Sequence, residues 1–355
     1  MNSYISNSKK NFKSKIPRAF IAFLILFILS ECVISITFSN YMENPTNAKI
    51  REKQIIAREA GQDYDILIFG DSSAAGGINA NELEKRTGLD CFNLALIGDA
   101  TLAGSYFQFK DYLKYNDPPK YILIMDTFDI WQRGLESDRV IRTLAINFYK
   151  DLIKTLFGTK LFFSLNKAII KNFTSYIIPS QIYKNDIYKL IKSKNIIKYF
   201  SGIVNSQRQI EQELMENNGS SLYVEIDEEA ISIDLENKKY FIDYNIFQVS
   251  EINNYYLNKL FEETEKNNIT VFMSYPPLIE NLYNYKTNSE YIKSYKSFMN
   301  SLEEKYDNVK FLIHNFYLVD KEKLSLSIDH LNYEESLVFT KMLSERIIKI
   351  INKEL

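Results

Sequence analysis

The hydrophobic pattern divides the chain into one long apolar run near the N-terminus and a series of short ones beyond it. Residues 19–38 read AFIAFLILFILSECVISITF. As a helix this run is about long enough to cross a bilayer, whose hydrocarbon core takes roughly 20 residues. A polar stretch follows over 41–62, with a helical piece around 48–60 that would stand a domain off the membrane. After it the runs shorten. Asp65–Phe69, Cys91–Leu96, Tyr121–Met125, Ile269–Ser274 and Val309–Ile313 are brief and apolar, which reads as buried strands. Helical periods over 81–87, 102–115, 249–266 and 290–306 separate most of them, and a last amphipathic helix is expected from about 333 to 352. Strands alternating with helices predict an α/β domain over 63–355 whose parallel sheet is covered on both faces.

Charge sets the expected direction of the long run. Lys9, Lys10, Lys13, Lys15 and Arg18 precede it with no acid among them. The positive-inside rule then puts a basic tail, 1–18, in the cytoplasm and everything past about residue 40 outside, a single-pass protein of the cell membrane. A cleaved signal peptide, with Ala19–Leu29 as its apolar core, gives the same compartment. A buried core helix is the third reading. Glu31 would cost about 2–3 kcal/mol near a bilayer centre. It lies past the midpoint, where it can snorkel outward or meet a partner helix. Cys32 would sit in the membrane, so a bridge to Cys91 is not expected.

Composition narrows the chemistry. Forty-three Lys and Arg against 45 Asp and Glu, a net charge of −2, exclude a globally basic nucleic-acid binder. Two cysteines and two histidines in 355 residues support neither a disulfide framework nor a zinc site, and no metal or cofactor is expected. The absence of GxGxxG and GxxxxGK[ST] argues against a nucleotide binder or phosphotransferase. Some 140 residues between the third and fourth strands break the rhythm and read as a helical insertion at about 135–245. Residues 143–200 carry ten lysines and two acids, and 203–236 carry nine acids and one arginine. A solvated basic face followed by an acidic loop is one reading. A surface for anionic headgroups, an anionic polymer or a membrane partner is the other.

The first strand runs straight into Gly70-Asp71-Ser72-Ser73-Ala74-Ala75-Gly76-Gly77. Ligands of open α/β sheets bind beyond the carboxyl ends of the strands. A serine in a small-residue turn there can present its hydroxyl among backbone N–H groups able to hold an oxyanion; an ordinary capped strand-to-helix turn is the alternative. At the other end, Ser327-Ile-Asp-His330-Leu-Asn precedes the final helix. Neutral imidazole is the general base a serine needs near pH 7, so His330 is expected to reach Ser72. His314 closes an apolar strand and is read as structural.

Ile66-Leu-Ile-Phe-Gly-Asp-Ser72, Phe92-Asn-Leu-Ala-Leu-Ile-Gly98 and Asp329-His330-Leu331-Asn332 together resemble three signature blocks of the SGNH/GDSL hydrolase superfamily. The likeness is to its membrane-anchored, cell-envelope branch, which includes teichoic-acid D-alanylation and polysaccharide O-acetylation proteins. It covers roughly residues 60–130 and 250–350. The resemblance implies a flavodoxin-like three-layer sandwich with a Ser-His-Asp arrangement, Ser72 as nucleophile, His330 as base, and the N–H groups of Ser72 and Gly98 in the oxyanion hole. It also implies an esterase or acyltransferase acting on cell-envelope glycan or a teichoic-acid-like acceptor, beside a membrane-bound O-acyltransferase partner. Two positions depart from the family pattern. Its acid sits three residues before the histidine, where this chain has Ser327, leaving Asp329 as the substitute or the pair as a dyad. Its third block supplies an asparagine, where this chain has Met125-Asp126-Thr127-Phe128-Asp129, leaving Thr127 as a substitute donor. These departures motivate a second expectation, a catalytically inactive binding or assembly module on the same fold.

Overall fold

In the computed structural model, which describes residues 18–41, 44–134, 178, 180, 183–244, 247–285 and 290–354, the five short apolar runs form one parallel sheet. The chain opens with α1 (Arg18–Asn40) and α2 (Pro45–Arg58), followed by β1 (Ile66–Gly70), α3 (Ser72–Gly77), α4 (Ala80–Thr87), β2 (Cys91–Asn93), α5 (Thr101–Tyr115) and β3 (Tyr121–Met125). Next come α6 (Lys184–Ser193), α7 (Ile196–Glu216), α8 (Glu228–Tyr244), α9 (Glu251–Lys266), β4 (Thr270–Met273), β5 (Pro277–Ile279) and α10 (Glu280–Tyr285). The last elements are α11 (Glu290–Lys305), β6 (Val309–Phe311), β7 (Tyr317–Val319) and α12 (Tyr333–Glu354).

The sheet order is β2-β1-β3-β4-β6, with all neighbours parallel. This is the doubly wound 2-1-3-4-5 order, whose ligand crevice lies at the carboxyl ends of the strands where the order reverses, between β1 and β3. Registers such as Leu67 opposite both Phe92 and Ile122 hold β1 at the centre. Every residue of β1 is buried, as a strand covered on both faces must be. Helix α5 packs on both α2 and α9, while α3 and α4 pack on α12. A second, two-stranded parallel sheet joins β5 to β7, a pair too short to stand out in the sequence.

Local chemistry sets the element ends. Asn44 caps α2 by accepting from the Asn47 N–H, with Pro45 at its first position. Gly88 ends α4 at φ 70°, where a side chain would be strained. Gly70 is tighter still: at φ 139°, an added Cβ would lie 1.8 Å from the Met125 carbonyl oxygen. The chain therefore leaves β1 hard against β3, and Asp71 at once caps α3.

One described helix, α1, is long and apolar enough to cross a membrane, with mean hydropathy 2.6 over its best window. Only 6% of that window is buried, so α1 is not a core helix of this fold. Glu31 meets a partner: its two carboxylate oxygens accept from the Ser180 N–H and hydroxyl, at 2.7 Å each. Near the end of α1, Phe38 stacks on Tyr183 and packs on Phe200, which Tyr41 meets edge-on. Cys32 and Cys91 are both free.

Most of the lysine-rich segment lies outside the described residues. The acidic segment departs from the expected loop. Residues up to 216 belong to α7, those from 228 to α8, and only 217–227 are non-helical. Glu, Gln, Leu and Met are good helix formers whatever their charge, so an acidic run is not by itself a loop signal.

Candidate active site

Ser72 is the first residue of α3, just beyond the carboxyl end of β1. Asp71 builds the turn beneath it. Its Oδ1 accepts from the Ser73 N–H and hydroxyl at 2.9 and 2.6 Å, and its Oδ2 accepts from the Thr127 N–H and hydroxyl at 3.0 and 2.6 Å. The aspartate thus ties the loop after β1 to the loop after β3, and four donors offset the cost of burying its charge. His330 comes from the other end of the chain. The turn that holds it is fixed by the Ser325 N–H donating to the His330 carbonyl at 2.8 Å, and by Asn332 capping α12 through the Glu335 N–H at 3.0 Å.

These two turns, 258 positions apart in sequence, bring His330 Nε2 to 2.9 Å from Ser72 Oγ. This is hydrogen-bonding distance for a nucleophile and its general base. The imidazole is 16% exposed. The Tyr223 ring stacks on it, with centroids 5.0 Å apart and planes 19° apart, and the Tyr223 hydroxyl donates to the Ser72 carbonyl at 3.4 Å. Gly76 makes room for that ring, since a Cβ there would come within 2.0 Å of Tyr223 Cε2. Burial among the acids Asp71 and Asp329 raises the Tyr223 phenol pKa, so it stays protonated and remains a donor.

The other expected site residues take different places. Asp329 is buried, but its Oδ1 lies 3.7 Å from Nε2, the nitrogen that already faces Ser72. It is therefore not in the position of an acid that orients the ring through Nδ1. Adjacent side chains diverge, and this one accepts from the Ser327 hydroxyl at 2.8 Å instead. Nδ1 is buried with no hydrogen-bond partner among the described residues. Thr127 gives both its N–H and its hydroxyl to Asp71, so it departs from the expectation of an oxyanion donor. Gly98 opens a single turn, Gly98–Ala100, packed so closely that a Cβ would meet Ile130 Cδ1 at 2.4 Å. His314 is exposed beyond β6, stacked on Phe311, and lines a different cavity with Arg346 and Lys349.

A cavity of about 220 Å³ adjoins the pair, lined by Ser72, Leu96, Ser221 and Tyr223 and by α2 residues including Lys49 and Lys53. The segment that delivers Ser221 and Tyr223 is pinned by the Ser221 N–H donating to the Ala75 carbonyl at 2.7 Å. Gly219, at φ 78°, lets it pass the Asn93 carbonyl, where a Cβ would lie 2.3 Å away. Among the described residues no cluster of histidine, cysteine or acid side chains could hold a metal ion.

Asp126, just after β3, is another buried acid, and its Oδ2 has no partner among the described residues. Burial first, and the Asp71 charge second, raise its pKa well above the carboxylate range. The unfolded chain releases this proton near pH 4 and the folded chain holds it far higher. Over that window the folded state binds more protons, so stability falls as pH rises. Asp126→Asn, which mimics the protonated acid, should raise the urea midpoint at pH 7 to 8 relative to the parent. The difference should vanish below about pH 4, and a constant offset across both conditions would refute this account.

No family model and no curated protein matches the chain.

Proposed function

We propose that the protein is a serine esterase or acyltransferase of the SGNH/GDSL type. It would be anchored by α1 with its tail in the cytoplasm, and act outside the cell on acyl groups of an envelope polysaccharide. The observation that carries this reading is the 2.9 Å approach of His330 Nε2 to Ser72 Oγ at the carboxyl edge of the sheet. The strand order and the apolar N-terminal helix support it.

In the proposed step, Ser72 Oγ attacks the acyl carbonyl carbon while His330 Nε2 takes the hydroxyl proton. The carbonyl oxygen takes the electron pair and becomes the oxyanion, which the Ser72 and Gly98 N–H groups stabilise; each such donor is worth about 3 kcal/mol. As the carbonyl re-forms, the alcohol leaves with the proton held by His330. A water or sugar hydroxyl then attacks the acyl-serine, His330 takes its proton, and that proton returns to Ser72. Tyr223 holds the imidazole face and the serine carbonyl throughout. With Nδ1 unpartnered, the pair acts as a dyad. The position at which the resembled family carries its acid is Ser327, which hydrogen-bonds to Asp234 of α8 and to Asp329.

The test is fluorophosphonate labelling of the full chain in detergent. Labelling lost in Ser72→Ala supports the proposal. No labelling of Ser72, together with no hydrolysis of aryl acetates, leaves the binding or assembly module, the reading motivated by the missing family acid and asparagine. A membrane-bound O-acyltransferase is the partner proposed in either case.

A further inference from the structure

Lys53 does not behave as lysines usually do. It is 2% exposed and lines the same cavity as Ser72. Its Nζ donates to the Ala95 carbonyl at 2.7 Å. That uses one of three N–H donors. No acid lies within ion-pair distance of it among the described residues. Glu213 is the acid whose charge acts on it, and that carboxylate is bound to Lys49 at 2.7 Å. Burial, with repulsion from Lys49, brings the Lys53 pKa down to about 7, while Glu213 pulls the other way. Burial alone thus favours the neutral amine, and an anion beside Nζ would restore the ammonium.

Its place in the fold tells where that anion would stand. Lys53 lies on the buried face of α2 with Ile50, Ile56 and Ala57. It bonds the first residue of the 95–97 stretch that borders the Ser72 cavity. Pro45 and Thr46, the first turn of the same helix, also line the cavity, and α1 ends at Asn40. One wall of the serine's cavity is therefore made by the helix that follows the apolar one, and this wall carries the Lys53 amine.

We infer that the Ser72 cavity contains an anion subsite built on Lys53, which receives a carboxylate or phosphate group of the molecule presented to Ser72. This rests on the proposed hydrolase or transferase reading for its role, but not for its existence. A carboxylate would come from an acyl group with a second acid function, and a phosphate from a phosphorylated acceptor.

Two measurements on the full chain in detergent test it, with Lys53→Gln as the main variant. Glutamine keeps a donor for the Ala95 carbonyl and removes the charge. Lys53→Met is the second variant, and both are checked for an unchanged melting transition. In equilibrium dialysis, glycerol phosphate or succinate should bind saturably, glycerol should not, and Lys53→Gln should weaken the anion by about tenfold or more. Whichever anion binds identifies the source. In hydrolysis, the mono-4-nitrophenyl ester of succinic acid should have a lower KM than 4-nitrophenyl acetate, and Lys53→Gln should erase that difference with acetate turnover held within about twofold. Lys53-dependent binding without ester hydrolysis keeps the subsite and sinks the hydrolase reading. Hydrolysis without discrimination, equal loss on both esters, or no saturable anion binding overturns the subsite.

Discussion

Replacing His330 by alanine is expected to lower the proposed ester hydrolysis by about a thousandfold or more, and Asp329→Asn by less than about tenfold. The asymmetry follows from which nitrogen each group faces. Nε2 lies 2.9 Å from the serine hydroxyl, so losing the ring removes the proposed base. In a triad the acid meets Nδ1, fixes the tautomer and stabilises the imidazolium. Here Nδ1 has no partner among the described residues, and Asp329 lies 3.7 Å from the opposite nitrogen. Its carboxylate belongs to the Ser327 turn. Steady-state rates of the two variants on an aryl acetate decide the matter, with the fold checked by circular dichroism. Comparable losses in both would show that Asp329 orients the imidazole and that the dyad description is mistaken.

The largest effect on stability is expected from Gly70→Ala, which should leave little folded protein or cost upward of about 3 kcal/mol. Two causes add. The φ of 139° lies where side chains are strained, and the new Cβ would be driven to 1.8 Å from the Met125 carbonyl oxygen and 2.8 Å from its carbon. Both are backbone atoms of β3, paired in register with β1, so no rotamer change relieves the clash. Gly61→Ala is the control. Its φ is 85°, but nothing lies within 4 Å of an added Cβ, so it should lose only about 1–2 kcal/mol. Urea midpoints of the two variants test the comparison, and similar losses would mean that close packing at Gly70 contributes little.

The sheet was legible because its strands are apolar on both faces and bounded by polar turns, and the pairing of Ser72 with His330 followed from two short segments at opposite ends of the chain. Other parts of the site left weaker traces. Tyr223 lies in a run read as an acidic loop, and its contacts with Gly76, His330 and the Ser72 carbonyl mark it out. Those contacts join residues about 150 and 110 positions away, and neither periodicity nor composition encodes such distances. Lys53 was hidden by its type, since lysines are seldom fully buried. One signal was present: Ile50, Lys53 and Ala57 fall at i, i+3 and i+7, so the lysine sits on the apolar stripe of its helix. The displacement of Asp329 could be anticipated, because neighbouring side chains rarely point the same way.

The contact between Glu31 and Ser180 has a mechanical consequence. A helix joined to its domain only through a connecting peptide would let that domain swivel and drift like a buoy on a line. Two hydrogen bonds to one carboxylate, together with the stacked rings of Phe38 and Tyr183, instead clasp the helix sideways. Whatever medium surrounds α1, the clasp limits spin about its long axis and fixes one heading for the serine. On the proposed anchored reading, the carboxyl edge of the sheet would then keep one height over the bilayer, and encounters would depend on what diffuses into that layer.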